Sequence, residues 1–175
     1  MSKKQSQYNK SRNKINNQDL GGFTLAEILV VVAALAFITA ITSSAFYSFY
    51  RGTLLNEAVR QTFSLLQEAR SNTLSSKDFS QYGVHFEEQK VVLFKGAIFT
   101  EPNSNNKEVK ISSPVEIYNI SLNGGGSNVV FQKLTGKTNE YGTISFQSPE
   151  ISGCLPGASS MTKIITIQSS GSFSY

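Results

Sequence analysis

Between Phe23 and Ile41 only Thr24, Glu27 and Thr39 interrupt a run of apolar side chains. As a helix rising about 1.5 Å per residue the run spans roughly 28 Å, close to the thickness of a bilayer's hydrocarbon core. A segment of this hydropathy must lie in lipid or be covered by protein, and that requirement constrains the fold more than any other stretch. Upstream stand Lys3, Lys4, Lys10, Arg12 and Lys14 against the single acid Asp19. Such a basic excess holds a leader on the cytoplasmic side and predicts export of the chain beyond the helix.

Glu27 is the anomaly, because a carboxylate near the centre of a lipid-facing helix costs about 2.5 to 3.5 kcal/mol, and less toward an end where it reaches the interface. An interfacial acid one turn into the helix is one account of it. A second comes from its neighbours. Gly22-Phe23-Thr24-Leu25-Ala26-Glu27 leading into an apolar helix closely resembles the processing site of type IV prepilins and type II secretion pseudopilins. The resemblance implies that a membrane-embedded prepilin peptidase, also the N-methyltransferase, cuts between Gly22 and Phe23 and methylates the new amine of Phe23. It implies further that Glu27 pairs with the terminal amine of a neighbouring subunit during assembly, so that two costly intramembrane charges satisfy each other. Glycines 21 and 22 suit a cleavage site, since a chain without Cβ atoms can lie extended in a protease cleft.

The apolar face is formed by Ile28, Leu29, Val30, Val31, Val32, Leu35, Phe37, Ile38 and Ile41, expected to lie in membrane lipid before assembly and against other pilin or pseudopilin subunits after it. An inner-membrane assembly machinery is the further partner that the family implies. The likeness is strongest over Gly22 to about Leu66. It departs from the family in a leader longer than many, and in the lack of the proline that major pilins often carry in this helix. Gly52 is the weak point of the helix, costing about 1 kcal/mol relative to alanine. Two other readings of the segment stay open: a secretory signal peptide cut after Ser43-Ser44-Ala45, and an uncleaved anchor.

The 175 residues leave room for one modest domain beyond the apolar segment. A formal charge of +4 looks like a hint of nucleic-acid or anionic-lipid binding. Five of the 16 Lys and Arg residues and one of the 12 acids lie in the leader, however, so the chain after Gly22 carries eleven of each and no formal net charge. Binding driven by a basic protein surface is thereby argued against. Cys154, the one cysteine, cannot form an intramolecular disulfide, so the exported part must hold together by packing.

Residues 1–22 are expected to be a basic leader that the resemblance implies is cleaved, 23–42 the transmembrane and assembly helix, 43–76 an amphipathic helix continuing into the head, and 77–175 a β-rich globular head. The aromatic cluster Phe46, Tyr47, Phe49 and Tyr50, ending at Arg51, suits a helix leaving the membrane interface. From there Leu55, Val59, Phe63, Leu66 and Ala69 recur at three and four residues, the stripe of a helix packed on one side. Helix is expected from Phe23 to about Ser75.

Alternating Tyr82, Val84 and Phe86, then Val91 to Phe94, predict a hairpin with His85 on the solvent face. Ala97 to Thr100 is expected to extend the sheet. Further strands are expected over Glu108–Ile111, Val115–Leu122, Val129–Leu134, Gly142–Gln147, Lys163–Gln168 and Phe173–Tyr175. Asn123–Ser127 and Thr135–Tyr141 are expected to be hairpin connections. The fold class is therefore α+β: a long N-terminal helix, half membrane and half amphipathic, packed on a mostly antiparallel sheet head, pilin-like. The hairpin after Glu68-Ala69-Arg70 and the closing Ile164-Ile165-Thr166-Ile167 with Ser170-Gly171 resemble H-type minor pseudopilins and related minor pilins.

No catalytic, cofactor or metal set is indicated. His85 is the sole histidine and has no cysteine near it in sequence, and Glu87 and Glu88 sit side by side on a turn where they point apart. The chain is expected to be a structural, non-enzymatic subunit of a type IV pilus or type II secretion pseudopilus. It is expected first in the cytoplasmic membrane with its head outside the cytoplasm, then in the filament. A minor pilin binding DNA for uptake is the alternative, with Tyr82, Phe86, Phe94, Phe99, Tyr118 and Phe131 as a stacking platform, although such strand aromatics more often fill a core. A secreted or anchored soluble domain outside any filament is the other.

Overall fold

The computed structural model describes residues 22–149 and 160–175, without the side chains of residues 43–45. The leader and Cys154 lie outside the described residues. Helix α1 runs over Leu25–Leu74 and passes through Gly52 without a break. Among the described residues eight strands come after it: β1 (Tyr82–Phe86), β2 (Lys90–Lys95), β3 (Lys107–Lys110), β4 (Glu116–Leu122), β5 (Asn128–Val130), β6 (Gly142–Ser148), β7 (Met161–Ile167) and β8 (Phe173–Ser174). One antiparallel sheet has the order β3-β2-β1-β5 and the other β4-β6-β7-β8. The fold is α+β. The chain forms two compact units, one ending at Ala40 and the other running from Ile41 to Tyr175.

In the second unit the helix buries Leu55, Ala58, Val59, Leu65, Leu66 and Ala69 in one core with residues of both sheets. These positions recur at three and four residues, so they form one stripe on the helix surface. Full burial of a side chain such as Leu66 contributes about 1.5 to 3 kcal/mol. Phe63 belongs to the stripe but is only half-buried, edge-on to Phe173 and Tyr175 of the C-terminal segment. Two polar contacts fix the helix in place. Arg51, 1% exposed, donates from Nε to Ser148 Oγ at 3.0 Å and from Nη2 to the Ser148 carbonyl at 2.6 Å. Near the other end, Thr73 Oγ1 donates to the Ala69 carbonyl and accepts the Tyr82 amide, both at 2.9 Å. Arg51 is thus a core side chain of the head, not a charge exposed at a membrane interface.

The hairpin β1–β2 pairs Tyr82 with Lys95 and Phe86 with Val91. Tyr82, Val84 and Phe86 face the main core as their alternation requires. Their opposite face is not open to solvent. Val92 and Phe94 are buried there, and His85 stacks on Phe99 at 3.9 Å between centroids and 11° between planes. Residues 97–100 therefore do not extend the sheet but cover its outer face. Gly83 makes this possible, because a Cβ at that position would lie 2.6 Å from Phe94 Cζ.

The two glycine- and polar-rich connections are likewise not hairpins. Residues 123–127 carry the chain from β4 in one sheet to β5 in the other, and residues 131–141 bring it back to β6. Strand β4 is bulged between Ile117 and Asn119, and beyond the bulge Leu122 again enters the core.

Candidate functional site

The first residues of the described chain are the Gly22-Phe23-Thr24-Leu25-Ala26-Glu27 string. Gly22 and Phe23 precede the helix and are exposed, Phe23 at 77%. Thr24 caps it: its Oγ1 accepts the Glu27 amide at 3.2 Å, and its carbonyl accepts the Ile28 amide. Glu27 therefore sits in the first turn, where the unpaired amides and the helix dipole favour negative charge. Among the described residues its carboxylate has no hydrogen-bond or ion-pair partner. Thr-x-x-Glu ahead of an apolar run is the sequence pattern of a capping box, a signal the spacing of Thr24 and Glu27 carries, but only its threonine half is made: the Glu27 amide bonds Thr24 Oγ1 and the carboxylate returns no bond to the Thr24 amide.

Beyond Glu27, the side chains of Ile28, Leu29, Val30, Val31, Val32, Leu35, Phe37, Ile38 and Ile41 are all at least half exposed. They cover the helix all round rather than along one stripe. The helix is long and apolar enough to cross a membrane, and none of its most apolar stretch is buried in the fold. Phe46 and Phe49 continue this exposed surface, while Tyr47 is half-buried.

The head supplies the remaining sequence candidates. Tyr82, Phe86, Phe94 and Phe131 are buried and cannot stack on a base, Phe99 is stacked on His85, and Tyr118 is about half exposed. His85 is held by Asn128 Oδ1, 2.6 Å from Nδ1, and lies 3.3 Å from Glu87 through Nε2. Glu87 also pairs with Lys90, which bonds both carboxylate oxygens of Glu101 at 2.9 and 3.0 Å and is raised above the ordinary lysine pKa chiefly by that bond. The cluster works as a clasp that holds residues 97–101 to the sheet. Among the described residues no group of three His, Cys, Asp or Glu is placed to hold a metal ion.

No protein-family model, no curated protein and no solved structure matches the chain.

Proposed function

We propose that the chain is a structural subunit of a type IV pilus or a type II secretion pseudopilus, inserted in the cytoplasmic membrane with its head outside the cytoplasm. In this reading a prepilin peptidase cuts after Gly22 and methylates the amine of Phe23. The helix then leaves lipid for a bundle of like helices. The observation that carries the proposal is the helix surface itself: apolar on every side, exposed from Ile28 to Ile41, and bearing one charged group, Glu27, between Gly22 and Tyr50. Lipid and neighbouring helices can both cover such a surface. A free amine on the first residue of a neighbour would neutralise the one charge that neither can accommodate.

The deciding experiment is the mass and N-terminal sequence of the protein recovered from membranes of its host. A chain beginning at N-methylated Phe23 is expected. One beginning at Phe46 would make it a secreted domain, and an intact Met1 chain would leave a membrane anchor without filament processing.

A further inference from the structure

The two ends of strand β1 carry surfaces of opposite character. At its Tyr82 end, the turn after α1 and residues 133–137 come together, tied by Lys133 Nζ donating to the Phe79 carbonyl at 2.6 Å and by Leu74 packed beside Gly136. Phe79 and Leu134 stand 90% and 86% exposed there. Both are held at positive φ, 53° and 68°, a conformation that L-residues other than Gly, Asn and Asp adopt only at a cost. Lys133 reaches the Phe79 carbonyl, Lys77 and Lys137 lie two and three residues from the knobs in sequence, and Arg70 bonds the Gly136 carbonyl. Lys95 is paired with Asp78, and Glu68 and Glu140 are the other nearby acids, so five basic residues stand against three acids. The result is a pair of apolar knobs in a basic rim.

At the Phe86 end, about 13 Å along the strand at about 3.3 Å per residue, an open groove of about 620 Å³ lies between β1 and the edge strand β4. Glu87, Glu88 and Glu116 line it together with Ile117, Tyr118 and Ile120, and no lysine or arginine does. The nearby Lys90 is taken up by Glu87 and Glu101, and Lys110 lies 3.9 Å from Glu108. Apolar and acidic side chains thus share its lining with the polar His85, Asn119 and Ser127, and of the three acids Glu87 is already paired with His85 and Lys90.

We propose that these surfaces bind one another between copies of the chain, the Phe79 and Leu134 knobs of one head entering the Glu88–Tyr118 groove of the next. Charge complementarity identifies the occupant: the knob end is basic where the groove is acidic, and apolar where the groove is apolar. Because each head carries both patches, at different ends of β1, a head that gives its knobs to one neighbour can take the knobs of another, and the contact can run heterologously from copy to copy. The inference concerns the head alone and does not depend on the processing of Phe23 or on Glu27.

The test uses the full chain with Cys154→Ser, in non-ionic detergent micelles, as two single-cysteine variants. Ser80→Cys marks the knobs and Asn119→Cys the groove. Oxidising the mixture is expected to give the mixed disulfide, at least about fivefold faster than Ser80→Cys paired with Asn56→Cys on the helix surface, and more slowly in high salt. Adding Phe79→Ser and Leu134→Ser to the first chain should remove the advantage. Lys77→Glu in the first chain should reduce it, and Glu88→Lys in the second should restore it. Equal rates with the groove and helix cysteines overturn the proposal. So does binding of the chain to phosphatidylglycerol vesicles that requires Phe79 and Leu134 without any knob-to-groove disulfide, which would make the knobs a membrane contact.

Discussion

The guanidinium of Arg51 on α1 is buried against Ser148 at the end of β6, donating to both its hydroxyl and its carbonyl across 97 residues of chain. This pair anchors the helix to the second sheet where the head begins. Arg51→Ala removes two hydrogen bonds from a charged donor and leaves a buried carbonyl without that partner, at a cost of about 3 kcal/mol. Thermal unfolding of the full chain in detergent, monitored by its strand signal, should fall by about 6 to 12 °C. A change below about 2 °C would show that the pair does not hold the helix.

Gly83 and Gly52 should respond to alanine with opposite signs. At Gly83 the new methyl would lie 2.6 Å from Phe94 Cζ and 2.8 Å from the Val129 carbonyl. Gly83→Ala should cost about 1 to 3 kcal/mol by displacing Phe94 and the β5 pairing. At Gly52 the nearest atom is Met161 Sδ at 3.8 Å, ordinary contact. Gly52→Ala should stabilise the helix by about 0.5 to 1 kcal/mol. Denaturant midpoints of the two variants measure both.

Asp78 accepts the Tyr82 hydroxyl at 2.9 Å and lies 3.3 Å from Lys95, and these partners hold its carboxyl below the ordinary 3.8. A carboxyl with a depressed folded-state pKa contributes stability that is present above the unfolded value and is lost as pH falls through the folded value. The acid arm of a stability profile should therefore be shallower below pH 3.8 in Asp78→Asn than in the parent. Asparagine tolerates the positive φ of 52° at this position. Superimposable acid arms would exclude Asp78 as a contributor.

On the proposed pilus or pseudopilus function, Glu27→Ala leaves membrane insertion and cleavage after Gly22 largely intact and reduces incorporation into filaments, while Thr24→Ala, which removes only the cap, should cost about 1 kcal/mol of local helix stability. Sheared-surface or pseudopilus fractions probed for the head would show it. Wild-type incorporation of Glu27→Ala would remove the charge-pairing role.

Much of the fold is legible along the chain because its signals are local. The stripe from Leu55 to Ala69 and the alternation in β1 each declare a buried face through periodicity alone. Polar residues used over long distances are not so marked. Arg51 resembles any basic residue after an aromatic cluster until Ser148 is seen beside it. Phe99 looks like a strand residue, but Gly83 leaves room for Phe94 to lie across the sheet and the loop after β2 closes over both. The glycine-rich stretch after Leu122 carries the composition of a hairpin, and composition does not record that its two flanking strands belong to different sheets.

The sequence by itself determined the long apolar helix, the position of Glu27 one turn into it, the amphipathic continuation and the β-rich remainder. These come from side-chain hydropathy at helix and strand periods, which depends only on neighbours in the chain. Only the tertiary structure decided that the strands divide into two sheets, that Arg51 is buried, and that basic knobs and an acidic groove stand at opposite ends of β1. Those features arise where segments tens of residues apart meet, and desolvation and charge at such meetings depend on the whole packed arrangement.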